Sequence, residues 1–167
     1  MEVARDLLGK VIRHGTASAR IVETEAYLGV DDAAAHSARG LTPRTSVIFG
    51  PPGRAYVYLI YGMHHCLNIV AEPEGVAGCV LIRAVEPILA IARDTLGPYD
   101  GPGKLTRALG ITLKHYGVDL TRGPITVHAP ASQERFEVGV SPRIGISKSV
   151  DLPLRFFIRG NRFVSRE

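Results

Sequence analysis

The sequence predicts an α+β fold, a single compact domain spanning residues 1–167 around a mainly antiparallel β-sheet. With 167 residues the chain is close to the size of one ordinary domain and too short for two well-buried ones. Hydrophobic residues make up 46% of it, which is enough to build a core without disulfide bonds. Strand-like segments outnumber helix-like segments and follow one another in blocks, whereas a parallel sheet would need the two to alternate.

The first part of the chain predicts a short helix followed by two paired strands. Glu2–Leu8 has the pattern of a helix that ends at Gly9, a residue type common at helix C-termini. Lys10–Arg13 and Ala17–Tyr27 contain the β-branched residues typical of strands and flank a turn at His14-Gly15. We therefore expect an antiparallel pair directly after the helix.

The middle of the chain predicts the body of the sheet. The sequence Gly50-Pro51-Pro52-Gly53 stops any regular element, and three strand candidates follow it: Arg54–Tyr61, His65–Ala71 and Cys79–Val85. Gly62-Met63 is typical of a two-residue type II′ turn. The first two candidates should therefore form a protruding β-hairpin with Tyr61 and Met63 at its tip.

The last part of the chain predicts two helices and a further block of strands. Pro87 suits the first position of a helix, and Ile88–Leu96 follows it with helical spacing. Gly101-Pro102-Gly103 introduces a second helix over Lys104–Leu109. The remaining strand candidates are Ile125–His128, Phe136–Val140 and Leu154–Ile158.

Composition narrows the class of function. The chain has 20 Lys plus Arg against 16 Asp plus Glu, a formal net charge of +4, and most of the basic residues are arginine. Guanidinium groups bind phosphates through two hydrogen bonds, so this balance favours an anionic partner such as nucleic acid. No apolar run approaches the ~20 residues of a membrane-spanning helix, and the N-terminus resembles no signal or transit peptide. We expect a soluble intracellular protein with no membrane partner.

Two carboxylates stand on one face of the strand Ala17–Tyr27. Alternation puts Glu23 and Glu25 on the same face as Tyr27, and acids two positions apart lie about 6.6 Å apart along a strand. If they are buried, the pKa of one is raised and its carboxylate can activate a water molecule. If the strand lies at a sheet edge, both acids are merely solvated. The apolar strand favours an internal position, and the residues alone leave both interpretations open.

Aromatic side chains cluster in the strand Arg54–Tyr61. Tyr56 and Tyr58 share a face, while Tyr61 has the opposite parity. Such rings commonly serve only as packing. They can also stack on nucleic-acid bases, which is worth roughly 1–3 kcal/mol per base.

The histidine and cysteine patterns predict no metal site. His36 lies in a loop, and His64 and His65 follow the hairpin tip, where histidines are commonly only polar. Cys66 and Cys79 lie in apolar strand-like runs, so we expect buried core thiols rather than the C-x-x-C ligands of a zinc site. Neither a G-x-G-x-x-G nor a Walker pattern occurs, and we expect no cofactor.

Several of these segments together resemble the alkyladenine (3-methyladenine, methylpurine) DNA glycosylase family, and they occur in the same order over nearly the whole chain. The segments that carry the resemblance are Arg20–Gly29 (RIVETEAYLG), Ala34–Ser37 (AAHS), Tyr56–Met63 (YVYLIYGM), Cys66–Asn68 (CLN), Cys79–Pro87 (CVLIRAVEP), Gly101–Leu105 (GPGKL) and Pro153–Gly160 (PLRFFIRG). The fold that it implies is a curved, mainly antiparallel sheet with flanking helices.

The resemblance implies a monofunctional enzyme of base excision repair. Such enzymes flip alkylated or deaminated purines (3-methyladenine, 7-methylguanine, hypoxanthine, ethenoadenine) out of duplex DNA and hydrolyse the N-glycosidic bond, which leaves an abasic site. No lysine lies in the segments that carry Glu25 and the expected pocket residues, which argues against a Schiff base and hence against lyase activity. The expected partner is double-stranded DNA containing damaged purines. The expected state is a monomer in the cytoplasm, on the bacterial nucleoid, or in the nucleus of a eukaryote.

The resemblance also implies roles for residues around the reacting bond. By position, Glu25 matches the general base that deprotonates the attacking water, and Arg83 matches the residue beside that water and the target phosphate. Tyr27, His36 and Tyr58 match the walls of the pocket that holds the extruded base.

Further matches concern selectivity and DNA distortion. Asn68 and Leu81 match a pocket floor that disfavours the 2-amino group of guanine. Tyr61 matches the residue inserted into the duplex where the base has left, and Met63 stands beside it at the hairpin tip as part of the same wedge.

Three other interpretations remain open at this point. The chain could be a non-catalytic nucleic-acid-binding module on the same fold, similar to the tRNA-binding C-terminal domain of formyltransferases. It could hydrolyse free glycosides with Glu23 and Glu25, although two acids on one strand face do not readily flank a bond. It could also be a metal-dependent hydrolase that uses His36, His64 and His65.

Overall fold

The architecture is that of a computed structural model, which describes residues 1–89, 99–132 and 134–166. Short 3-10 turns occupy His36–Arg39, Ser46–Phe49 and Leu113–His115. The helices and strands are α1 (Glu2–Asp6), β1 (Val11–His14), β2 (Ala17–Tyr27), β3 (Ala55–Ile60), β4 (His64–Val70), β5 (Cys79–Leu89), α2 (Pro102–Ala108), β6 (Ile125–His128), β7 (Val138–Ser141) and β8 (Arg155–Ile158).

Within these ranges the strands form one eight-stranded antiparallel sheet in the order β3-β4-β5-β2-β1-β6, with β8 pairing with β2 and β7 with β8. β2 is the central strand, since it pairs with β1, β5 and β8. Its register against β5 shifts on both sides of Glu23, and such bulges bend a strand and curl the sheet. The predicted α+β class with a curved, mainly antiparallel sheet is confirmed.

The helices cover the sheet and are tied to it by threonine hydroxyls. Thr24 in β2 donates a hydrogen bond to the carbonyl of Ala4 in α1 at 2.8 Å. Thr106 in α2 donates to the carbonyl of His65 in β4, also at 2.8 Å. Fully buried Leu105 joins these elements to the apolar core. Among the described residues, no helix combines the length and apolar character needed to cross a membrane.

The hairpin between β3 and β4 turns one residue earlier than the sequence predicts. Tyr61 and Gly62 have φ values of 53° and 69°, and the Met63 N–H donates to the Ile60 carbonyl at 3.2 Å. A turn with two positive φ values has Tyr61-Gly62 at its centre, so the type II′ turn predicted at Gly62-Met63 is wrong. Tyr61 and Met63 nevertheless lie at the tip, with 82% and 69% of their surfaces exposed.

The helix predicted to begin at Pro87 does not begin there. β5 continues through Leu89, and Pro87 lies opposite Ala19 of β2. The register shifts between Ser18 and Ala19, and such an irregularity tolerates a proline that lacks an N–H donor. The rest of that predicted helix, from residue 90 onwards, lies outside the described residues.

Candidate functional site

A row of four side chains crosses the sheet from β3 to β2. The strand registers place Tyr56 opposite Asn68, Asn68 opposite Leu81, and Leu81 opposite Glu25. Residues directly opposite one another on neighbouring strands project from the same face of the sheet. Four segments that are distant in the sequence therefore contribute to one surface.

A cleft of about 960 Å³ opens over this surface. That is near the upper end of the range for small-molecule sites and has room for a flat heterocycle. Glu25 has no exposed surface and stands behind the cleft wall, while Met63 lies at the exposed hairpin tip. The residues predicted for the site that line the cleft are Tyr27, His36, Tyr58, Tyr61, Asn68, Leu81 and Arg83.

Glu25 is held by three groups that themselves line the cleft. The Ile144 N–H donates to its Oε1 at 2.7 Å, and the Tyr27 hydroxyl donates to its Oε2 at 3.1 Å. Nη1 of Arg83 lies 3.3 Å from Oε1. Burial raises the pKa of Glu25 above its usual 4.5, and the Arg83 charge opposes that rise only in part. A carboxylate with a raised pKa is a stronger base than an exposed one.

Glu23 is also fully buried, but its partners differ. Its Oε1 accepts from Nε of Arg83 at 3.1 Å and from Nε of Arg155 at 2.7 Å. The N–H and hydroxyl of Ser165 donate to its two carboxylate oxygens at 2.7 and 2.8 Å. The interpretation of β2 as a solvated edge is therefore wrong, because both acids are inside a central strand.

Aromatic rings form one wall of the cleft. The ring centroid of His36 lies 4.6 Å from that of Tyr58, edge to face, and its Nδ1 lies 2.7 Å from the Tyr56 hydroxyl. The centroids of Tyr56 and Tyr58 are 5.4 Å apart, which confirms that the two rings share a face. Burial, together with the charges of Arg44 and Arg39, lowers the pKa of His36 and favours its neutral form.

The amide of Asn68, on the cleft floor, is held in one orientation. Nδ2 of Asn68 donates to the Tyr56 carbonyl at 3.1 Å, and its Oδ1 lies 3.9 Å from the Cys79 sulfur. Cys66 and Cys79 are free, buried thiols, as predicted, and burial raises the pKa of Cys79 to about 12. Because its polar atoms have partners, the Asn68 amide cannot easily turn away from a ligand.

A buried ion pair lies against Tyr27, another residue of the cleft lining, and the local sequence does not indicate this pair. Arg143 binds both carboxylate oxygens of Asp32, and its guanidinium carbon lies 4.6 Å from the centroid of the Tyr27 ring. Asp32 also accepts hydrogen bonds from the backbone of Leu28 and Ala34. Only the Asp32 contact to Ala34, two residues on, follows a recognisable turn pattern. The pair fixes Tyr27 and the loop that leads to His36.

Two of the open alternatives lose support from this geometry. The described part of the chain contains no group of three or more His, Cys, Asp or Glu side chains that could hold a metal ion, so a metal-dependent hydrolase that uses His36, His64 and His65 has no ligand set there. Glu23 and Glu25 both contact one guanidinium, that of Arg83, rather than standing on opposite sides of a cavity. That placement does not suit a pair of glycosidase carboxylates.

Comparison with known proteins shows the family to which this chain belongs. The family model described as methylpurine-DNA glycosylase (MPG) matches residues 1–162. A protein of Methanoculleus marisnigri named "Putative 3-methyladenine DNA glycosylase" is 48% identical over 98% of this chain and 92% of its own length. Proteins of the same name from Bradyrhizobium diazoefficiens and Koribacter versatilis are each 48% identical, over 99% and 98% of this chain and 85% and 86% of their own lengths. The chain therefore belongs to the methylpurine-DNA glycosylase family.

Proposed function

We propose that this protein is a monofunctional DNA glycosylase that removes alkylated or deaminated purines from duplex DNA with a water molecule activated by Glu25. The observation that carries the proposal is a buried carboxylate directly behind an aromatic cleft, held by three groups that line it. Family membership supports the class of reaction, and the cleft supports the assignment of roles.

The aromatic wall suits an extruded base. A base inside a duplex shields its glycosidic carbon, so the nucleotide must rotate out at a cost of a few kcal/mol. Tyr27, His36 and Tyr58 offer stacking surfaces for it in the cleft. Exposed Tyr61, supported by Met63, fills the gap in the duplex and slows the return of the base. Guanine is disfavoured because its 2-amino group meets the fixed amide of Asn68.

The reaction requires a general base and a negative charge that stabilises the transition state. Glu25 takes a proton from water, the water oxygen bonds to the sugar carbon, and the purine leaves with the electrons of the glycosidic bond. The carboxylate also stabilises the oxocarbenium-like transition state, while Arg83 orients the carboxylate and the water. The sugar-phosphate backbone is not cut in these steps. The enzyme needs no second copy of itself for them, so we propose that it acts as a monomer.

Single-turnover assays on a duplex containing one inosine test the proposal. We expect free hypoxanthine, an abasic site, an uncut backbone and no effect of a chelator. The Glu25→Gln variant should bind the same duplex but lose excision by orders of magnitude. Normal turnover by that variant would refute the role of Glu25. Binding without any base release by the unaltered protein would instead favour the non-catalytic module, similar to the formyltransferase C-terminal domain.

A further inference from the structure

Glu23 has no part in the reaction proposed above, although it is the more extensively bonded of the two buried acids. Its carboxylate receives four hydrogen bonds, from Arg83, Arg155 and the backbone and side chain of Ser165. Its surface is fully buried, and it stands behind Arg83 rather than on the cleft. Burial of a carboxylate is costly unless charged and hydrogen-bonding partners offset the loss of water, and one of these partners is Arg83 of the cleft lining.

We propose that Glu23 is a positioning residue, whose carboxylate holds the Arg83 guanidinium beside Glu25 and balances its charge. The inference rests on the proposed role of Glu25 as the base. Arg83 uses Nε for Glu23, at 3.1 Å, and Nη1 for Glu25, at 3.3 Å. The guanidinium is planar and rigid, so a bond that fixes Nε also fixes the direction of Nη1.

The C-terminal segment keeps Glu23 itself in place. Ser165 contacts both of its carboxylate oxygens, and Nε of Arg155 on β8 also donates to Oε1. Arg155 additionally donates to the backbone carbonyl of Arg166, which ties the segment to the sheet. Glu23 therefore cannot turn away, and Arg83 cannot swing into the cleft without breaking its bond to it.

The charges around Glu25 explain why a second acid matters. Arg83 on β5, Arg155 on β8 and Arg143 on the loop after β7 all lie around it, while Glu23 and Tyr27 flank it on β2. If the charge of Glu23 were lost, the guanidinium of Arg83 would act on Glu25 alone. Glu25 would then be stabilised as an anion and become a weaker base.

Single-turnover release of hypoxanthine, measured as a function of pH, tests this role with two substitutions that separate charge from position. Glu23→Gln removes the charge. We expect the acid limb, the part of the profile where the rate falls with falling pH, to move to lower pH by on the order of one unit. The plateau rate should fall about tenfold. Glu23→Asp keeps the charge but retracts the carboxylate, so its acid limb should match that of the unaltered protein while its plateau is lower.

Two controls make the outcome decisive. Glu86→Gln also removes a carboxylate from the sheet, but Glu86 pairs with Arg20 and Asn161, and this variant should keep both the limb and the plateau. Titration with a duplex carrying an abasic-site mimic counts active molecules. If the Glu23 variants lose only active molecules and keep unchanged rate constants and limbs, Glu23 is merely structural and the inference fails. Absence of hypoxanthine release by the unaltered protein would refute the proposed function itself.

Discussion

At the scale of single residues, Glu25 is governed by two opposing effects. Burial raises its pKa, and Arg83 with the Ile144 N–H lowers it, with burial the stronger. Since a general base must be ionised, excision should slow as the pH falls through a pKa above the usual 4.5 of a glutamate. Single-turnover rates across the mildly acidic range measure this. A rate that stays constant down to the range of an ordinary carboxyl would contradict the burial argument.

The same burial makes Glu25 a cost to the folded state. A carboxyl whose pKa is higher in the folded than in the unfolded chain contributes stability that is fully present below the unfolded pKa and is lost as the pH rises through the folded pKa. Glu25→Gln removes the charge and keeps an acceptor for the Ile144 N–H. We expect its Tm at neutral pH to rise by on the order of a few degrees. A lower Tm would show that the pairing with Arg83 outweighs the burial.

Asp32 illustrates the opposite case, a buried acid that stabilises the fold. Asp32→Asn leaves the guanidinium of Arg143 buried without a counter-charge, which should cost about 3–5 kcal/mol of unfolding free energy. Urea unfolding measures this loss. The matched control is Glu137→Gln, since both members of the Glu137–Arg159 pair are exposed and its loss should cost much less. Equal losses in the two variants would mean that burial of the Asp32 pair carries no special weight.

At the scale of elements, the hairpin between β3 and β4 combines strain with exposure. Tyr61 has a φ of 53°, a conformation that costs a non-glycine residue about 1 kcal/mol, yet its ring is exposed. Tyr61→Gly should therefore fold at least as stably as the unaltered protein, while losing the wedge that we propose.

The fluorescence of ethenoadenine in a duplex reports whether the base is extruded. We expect a marked loss of the extruded population with Tyr61→Gly and its retention with Tyr61→Phe, which keeps the ring. Full extrusion by the glycine variant would exclude Tyr61 as the wedge.

Local patterns predicted β2, β3 and β4, but they placed one turn and the end of β5 wrongly. β2, β3 and β4 are apolar runs that contain β-branched or aromatic residues and are bounded by turn residues, so their existence followed from the sequence. The prediction for the turn between β3 and β4 is wrong by one residue. A type II′ turn has glycine at its first central position, whereas here that position is Tyr61, and a positive φ is rare for tyrosine. Pro87 suggested a helix because the irregular pairing of β2 near Ala19, which accommodates it, is invisible in the local sequence.

At the scale of the whole molecule, the site depends on registers between distant segments. Alternation predicted which residues of β2 and β3 share a face. It did not predict that Glu25 and Tyr56 would lie at the two ends of one row of side chains across β2, β5, β4 and β3. The resemblance implied seven of the residues that line the cleft, and the other lining residues were not predicted. Arg143 and Ser165 lie in loops that have no recognisable sequence pattern. The sequence therefore does not indicate that Arg143 contacts Tyr27 or that Ser165 contacts Glu23.

The net charge of +4 on the whole chain predicts that its affinity for DNA depends on salt concentration. Arg39, Arg44 and Lys148 border the cleft, where they can neutralise phosphates and release counterions. Affinity for a lesion-containing duplex should therefore fall linearly with salt on logarithmic axes. Substituting glutamine for Arg39 or Lys148 should reduce the slope by about one each. Arg122→Gln is the control, because Arg122 pairs with Asp119 outside the cleft lining and should leave the slope unchanged. An affinity that does not change with salt would mean that the duplex does not approach through the cationic rim of the cleft.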